Sequence, residues 1–256
     1  MEKICLNCGR RVRHEFCPYC GQRTDVERLD MKHFSIEILQ FFTHIESTFF
    51  KTSGMMLWQP GQILLEWLRG KRQKYFRPVR FFLTWTTIEL LCNRLISHTM
   101  NLEPVVSKLV NTSDPEILIT SLQHTQLFYL ISLPFSALLG YYLLGRPKFY
   151  VFETFVIAFY IYGGSFCLWT FLQLICGFIF QINILSWHFY LIQLGITLVY
   201  TFYTLLNLLI KAQSHHIIPR LIVFSIVSVF LTAKIFFLCG YGWVHFVAPY
   251  YMAIVN

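Results

Sequence analysis

TFVIAFYIYGGSFCLWTFLQLICGFIF, residues 154–180, runs for 27 residues without an Asp, Glu, Lys or Arg. About 20 predominantly apolar residues cross a bilayer core as a helix, so this stretch predicts a transmembrane span. Comparable stretches at about 79–98, 125–145, 188–210 and 221–240 bring the expected number to five. Composition agrees, with 55% of the 256 residues hydrophobic, 18% aromatic and only 13% charged, well beyond the apolarity of a soluble domain. The expected fold class is an all-α integral membrane protein. Its domains divide as a small ribbon at 1–24, cytosolic amphipathic and basic juxtamembrane helices at 25–78, and a transmembrane domain at 79–256.

The first span is the weakest, because it carries Glu89, Asn93 and Arg94, and an ionised residue at a helix centre costs about 2.5–3.5 kcal/mol of insertion. The placement of positive charge retains it. Of 21 Lys and Arg, 14 lie in residues 1–80. With five spans and a cytosolic N-terminus, that block, Arg146, Lys148, Lys211 and Arg220 all fall inside and only Lys108 falls outside. With four spans the later loops change sides, against the orientation bias. The C-terminus is therefore expected outside. Residues 1–33 are polar and carry cysteines, so no cleaved secretory signal is expected.

Aromatic residues mark both edges, as amphipathic rings at headgroup depth do. Trp187, His188, Tyr241, Trp243, Tyr250 and Tyr251 fall at outer ends, and Tyr141, Tyr142 and Tyr150 flank the inner loop. Pro134 and the Gly163-Gly164-Ser165 triplet sit mid-span, where a helix kinks or a neighbour approaches closely.

Ahead of the spans, CLNCGRRVRHEFCPYCGQ (5–22) sets Cys5, Cys8, Cys17 and Cys20 in two C-x-x-C-G knuckles. Four thiolates in this spacing match a closed tetrahedral Zn2+ site with no open position for substrate. The site is therefore expected to be structural, with the metal folding a segment too short to bury a core. Disulfides are the alternative, disfavoured on a reducing side of the membrane. Arg10, Arg11 and Arg13 raise nucleic-acid binding, but three arginines on a small ribbon read more simply as a solvated, protein-facing or headgroup-facing surface. Cys92, Cys167, Cys176 and Cys239 are scattered singly and read as small buried hydrophobes.

Residues 31–51 place Phe34, Ile38, Phe41, Phe42, Ile45 and Phe49 at helical spacing, an amphipathic helix with an aromatic face. Such a helix packs on the protein's own spans or lies in the membrane interface. His33 and His44 on it read as solvated. A Pro-Gly start and a short helix with Ile63, Leu64, Trp67 and Leu68 follow. Arg69, Lys71, Arg72, Lys74, Arg77 and Arg80 then form a juxtamembrane basic collar, where each charge near an anionic leaflet is worth about 1 kcal/mol. Anionic headgroups are the expected partner of these six.

The double C-x-x-C-G ribbon, the Phe- and His-bearing helix, and P-G-x-x-x-x-x-W-L-x-G-K-R-x-K-Y-F-x-P at 60–78 resemble a family of uncharacterised bacterial membrane proteins classed as a domain of unknown function. The resemblance covers residues 5–82. It implies a zinc-ribbon, multi-span bacterial inner-membrane architecture with no established activity. The third span of that family often begins with Tyr-x-Glu-His and further histidines. Here Tyr150 and Glu153 are kept, as Tyr-x-x-Glu, but Thr154 and Tyr160 stand in place of histidines nearby, which argues against histidine-dependent metal chemistry.

Three ionisable residues fall inside predicted spans: Glu89 near the midplane, Arg94 and Lys234 in the outer third. Glu89 and Lys234 are within reach of each other across helices; an interhelical salt bridge and an ion relay are the two readings. His215-His216 lies in a cytosolic loop and reads as solvated. No G-x-S-x-G, H-E-x-x-H or phosphate loop occurs. The sequence therefore favours a non-enzymatic adaptor or regulator that docks a protein partner through its ribbon, with a small-solute, ion or lipid carrier around Glu89 and Lys234 as the alternative.

Overall fold

The computed structural model describes residues 3–24, 48–99, 125–145, 149–181 and 187–211, and residues 219, 221–228, 230, 231 and 234. The first unit is the ribbon, a two-stranded antiparallel pair of β1 (Lys3–Ile4) and β2 (Arg11–Val12) in which Lys3 faces Val12 and Ile4 faces Arg11. Among the described residues the helices that follow include α1 (Thr48–Trp58), α2 (Pro60–Leu68), α3 (Pro78–Thr99), α4 (Thr125–Gly140), α5 (Val151–Leu174) and α6 (Trp187–Lys211). α4 and α5 each run on into a π-helical turn, Tyr141–Gly145 and Ile175–Ile179.

α5 is the axis of the bundle. It is apolar on every side, and such a helix must be surrounded; it is buried almost continuously from Thr154 to Gln173. Its start is fixed locally, since the Tyr150 amide donates to the Glu153 carboxylate at 2.9 Å, an N-terminal cap. The Tyr-x-x-Glu pattern thus has a backbone role here. α3, α4 and α6 pack around α5, while α1 and α2 pack together against α5, with α2 also on α6.

Contacts between these helices are set by glycine and aromatic residues. Gly163 and Gly164 do not break α5, which is continuous through them. A Cβ at Gly163 would lie 2.6 Å from Phe81 Cδ1, and one at Gly164 would lie 2.7 Å from Tyr200 Cζ. The pair is the seat where α3 and α6 close on α5. Pro134 likewise sits within a continuous α4. Around these crossings Tyr129, Phe166 and Trp169 form an edge-to-face cluster with centroids 4.8–5.6 Å apart.

Among the described residues two helices are long and apolar enough to cross a membrane, Val151–Ile179 and His188–Lys211, with Tyr129–Leu144 a shorter apolar helix. The expected span at 79–98 forms a helix, but with Arg80, Glu89 and Arg94 it is less apolar than these two. Of the expected span at 221–240, residues 221–228, 230, 231 and 234 are described and helical; its remaining residues lie outside the described ones, as do His33, His44, Cys239, His215, His216 and residues 241–256. Of the predicted helix 31–51 only its end is described, within α1, where Phe49 is buried as its apolar spacing requires.

Candidate metal centre and its docking loop

The two knuckles are near copies of each other. In the first, the Cys5 amide donates to the Arg10 carbonyl at 2.9 Å and the Gly9 amide to the Cys5 carbonyl at 2.8 Å; in the second, Cys17 donates to Gln22 and Gly21 to Cys17, both at 2.8 Å. Gly9 and Gly21 take φ of 74° and 70°, a left-handed conformation that glycine adopts without strain. This explains the glycine after each C-x-x-C.

The turns bring all four sulfurs within 4.8 Å of one another, with Cys5–Cys20 and Cys8–Cys17 both at 3.6 Å. A tetrahedral cation with metal–sulfur bonds of about 2.3 Å needs sulfurs about 3.8 Å apart. A disulfide needs about 2.05 Å, and all four thiols are free. Cys5 and Cys17 are buried, Cys20 is half-buried and Cys8 is exposed. The four cysteines could therefore hold a metal ion.

Their electrostatics call for a cation. The Arg10 amide favours the Cys8 thiolate, but burial and the thiols of Cys17, Cys5 and Cys20 outweigh it and push Cys8 up to about 11. Burial also raises Cys17, yet hydrogen bonds from the Tyr19 and Cys20 amides and from the neighbouring thiols draw it down to about 7. Crowded thiols thus ionise one at the expense of another, and a bound cation removes that conflict.

The ribbon is pinned to the helical body through Gln22. Its backbone carbonyl closes the second knuckle, while its side chain enters the loop after α2. Nε2 donates to the Gly70 carbonyl at 2.7 Å, and Oε1 accepts from the Arg72 and Gln73 amides at 3.2 and 3.3 Å. Gly70, at φ 97°, holds a left-handed conformation that a side chain would strain, and a Cβ there would stand 2.8 Å from Leu6 Cδ1. The two sequence signatures, ribbon and G-K-R-x-K, are thus two sides of one contact.

Most of the P-G…W-L-x-G-K-R-x-K-Y-F-x-P residues are accounted for by packing. Pro60 starts α2. A Cβ on Gly61 would reach 2.5 Å from Leu208 N, so α2 crosses α6 backbone to backbone. Trp67, Tyr75 and Phe76 are buried. The Phe76 amide donates to Thr52 Oγ1 at 2.9 Å and its carbonyl accepts from Tyr160.

The basic collar is only in part an open surface. Glu66, the one acid between Glu46 and Glu89, meets Lys74 at 2.7 Å and Lys71 at 3.5 Å and accepts from Tyr75 at 2.7 Å and Gln62 at 3.2 Å. Burial alone would raise its carboxyl, but the Lys74, Tyr75 and Gln62 hydrogen bonds hold it down to about 2. Arg72 lies 5.1 Å over the Trp67 ring, Arg80 is buried at 8% exposure, Arg77 is half-buried and Arg69 is exposed.

Of the ionisable residues assigned to the spans, Glu89 is 1% exposed and accepts from Gln173 Nε2 at 3.0 Å. Arg94 is exposed. Lys234 is exposed as well, with its ammonium 5.5 Å over the Phe230 ring. Cys167 is buried, Cys92 and Cys176 half-buried.

Gln22, Glu66 and Gly61 carry much of this arrangement, and their cross-chain contacts are not legible from spacing. Only Glu66 leaves a trace, as a lone acid in a basic run. No curated protein and no solved structure matches the chain. A family described as Protein of unknown function (DUF3667) matches residues 46–89, the segment that holds α1, α2, the docking loop and the first half of α3.

Proposed function

We propose that the protein is a five-span membrane protein with a cytosolic N-terminus and an extracytoplasmic C-terminus. Its cysteines hold one structural Zn2+, and the metal-clamped ribbon docks a protein partner, so that the chain acts as a non-enzymatic adaptor or regulator of the bacterial inner membrane. The observation that carries this reading is the Gln22 contact, which gives the ribbon a fixed seat on the helices. A ribbon so fixed presents a surface instead of trailing as a tether. That surface includes exposed Ile4, Phe16 and Tyr19, with Arg10 stacked 4.0 Å over the Tyr19 ring, a combination of aromatic anchor and arginine common in protein interfaces. Support for the membrane comes from α4 and α6, whose outer faces expose Leu130, Ile131, Phe135, Ile192 and Val199; a soluble protein rarely leaves so much apolar surface uncovered.

The test is affinity purification from native membranes. The wild-type chain should recover a stoichiometric partner, and Phe16→Ala with Tyr19→Ala should lose it while keeping the metal. If no such partner is recovered and the double variant keeps full cellular function, the adaptor reading fails.

A carrier for a small solute, ion or lipid is the second reading. It is favoured by the burial of Glu89 and Gln173 deep in the bundle, because ionisable residues at such depth mark pathways by default. Glu89→Gln separates it: normal expression with lost activity supports a carrier, and lost folding supports a structural pair.

A further inference from the structure

α1 and α2 belong to the segment read from sequence as cytosolic, yet the contacts of α1 register it well inside the apolar helices, while the start of α2 meets α6 near its end at Asn207, Leu208 and Lys211. Tyr200 of α6 donates to the Met56 carbonyl at 3.1 Å and Tyr203 to the Trp58 carbonyl at 2.8 Å. These tyrosines precede Lys211, the cytosolic end of α6, by 11 and 8 residues, so at 1.5 Å per residue the end of α1 lies about 12–16 Å above that end. The other end of α1 sits deeper. Phe49 packs 5.3 Å from Trp85, the Ser53 hydroxyl accepts from Trp85 Nε1 at 3.0 Å, and Trp85 in turn lies 6.2 Å from Phe171, within the uncharged run 154–180.

Backbone satisfaction points the same way. The last carbonyls of a helix have no partner within it and normally turn to water; at membrane depth no water is available and protein groups must replace it. The turn from α1 to α2 meets that requirement. Met56 and Trp58 carbonyls take tyrosine hydroxyls from α6, and the Gln59 amide returns to the Met55 carbonyl at 2.8 Å. On the exit side, Phe76 is satisfied at its amide by Thr52 and at its carbonyl by Tyr160. The outward face of α1 carries Phe50 at 73% and Trp58 at 80% exposure, and α6 exposes Val199. In the exit loop Glu66 pairs with both Lys71 and Lys74.

We propose that α1 and α2 form a helical hairpin held in the cytosolic leaflet, with the Thr48 end of α1 the deeper and the turn at Trp58–Pro60 toward the cytosolic surface, and with Phe50 and Trp58 against lipid acyl chains. This rests on the membrane reading. The full chain, zinc bound, is placed in lipid nanodiscs containing phospholipids brominated on the upper acyl chain, and the Trp58 signal is the emission lost in Trp58→Phe, an exposed position whose change leaves the core intact. That emission should be quenched by the brominated lipid and insensitive to aqueous acrylamide. Val199→Trp on the outer face of α6 is the control, read as the emission this substitution adds. If the added emission is quenched by lipid while the Trp58 emission is quenched only by acrylamide, the hairpin is not in the membrane and the proposal is overturned alone. If neither is quenched by lipid, the membrane reading falls with it.

Discussion

Replacing Gln22 by Ala removes the side chain that joins the ribbon to the helical body and leaves the metal ligands in place. The carboxamide bond to the Gly70 carbonyl is buried and short at 2.7 Å; that carbonyl also accepts from the Arg72 amide at 2.9 Å, so the loss removes one hydrogen bond, worth about 1 kcal/mol. The Arg72 and Gln73 amides share one oxygen at 3.2 and 3.3 Å, and together contribute about 1 kcal/mol. The ribbon's seat should weaken by about 2 kcal/mol, which raises its local opening constant roughly 30-fold at 1.4 kcal/mol per decade. Hydrogen exchange with the purified, metal-loaded chain reads this directly. The amide of Gln73 should exchange faster by that factor and that of Arg72, which keeps the Gly70 carbonyl, by less, while Cys5, Gly9, Cys17 and Gly21, whose bonds lie within the knuckles, keep their protection. Gln22→Glu sharpens the test, because it retains the acceptor and sets an oxygen against the Gly70 carbonyl. Unchanged exchange at Arg72 and Gln73 in both variants would refute the claim that Gln22 holds the ribbon.

Other outcomes follow from single contacts. Chelating the metal, or Cys8→Ser, should abolish one-to-one zinc binding and release the protection of Gly9 and Gly21, since the ribbon's own core is only Cys5, Val12 and Cys17 with Cys20 packed on it; elemental analysis and hydrogen exchange check this. Glu66→Gln should lower stability at neutral pH by about 1–2 kcal/mol, below the roughly 3 kcal/mol implied by a carboxyl held from 4.5 down to about 2, because Lys71 and Lys74 are 38% and 34% exposed and solvent screens them. A carboxyl with a lowered folded value stabilises fully above pH 4.5 and loses that contribution as pH falls toward 2, so wild type and variant should converge in acid melts. Gly61→Ala should cost about 1–3 kcal/mol, since its Cβ meets the Asn207 and Leu208 backbone, which has no rotamer to yield. Gly54→Ala faces open space in a helix interior and should stabilise by about 0.5–1 kcal/mol; thermal unfolding in detergent compares the two.

Local chemistry is legible wherever neighbours in sequence decide it. The C-x-x-C-G spacing encodes two turns that need a left-handed glycine and converge four sulfurs, so ligands and positive φ can be read together. Pro60 at a helix start and the buried Ile63, Leu64 and Trp67 follow from the same short-range rules. Gly163-Gly164 is legible only as an ambiguity between kink and contact, because a small residue signals space without saying what fills it. The collar is overread from sequence for a related reason: six positive charges in close succession say nothing of Glu66 folding back on two of them or of Arg80 entering the core.

The apolar helices, the metal-binding turns and the positive-charge bias are written in the chain alone, since all are properties of composition or of segments no longer than a single helix. Tertiary packing was needed to show that Gln22 plugs a loop 48 residues away, that Tyr200 and Tyr203 cap a helix about 145 residues upstream, and that α1 packs against α5. One cause underlies all three. A side-chain amide or hydroxyl bonds to whichever backbone group packing brings within about 3 Å, and that partner is chosen by the crossings at Gly61, Gly163 and Gly164, where the absence of a Cβ lets helices meet.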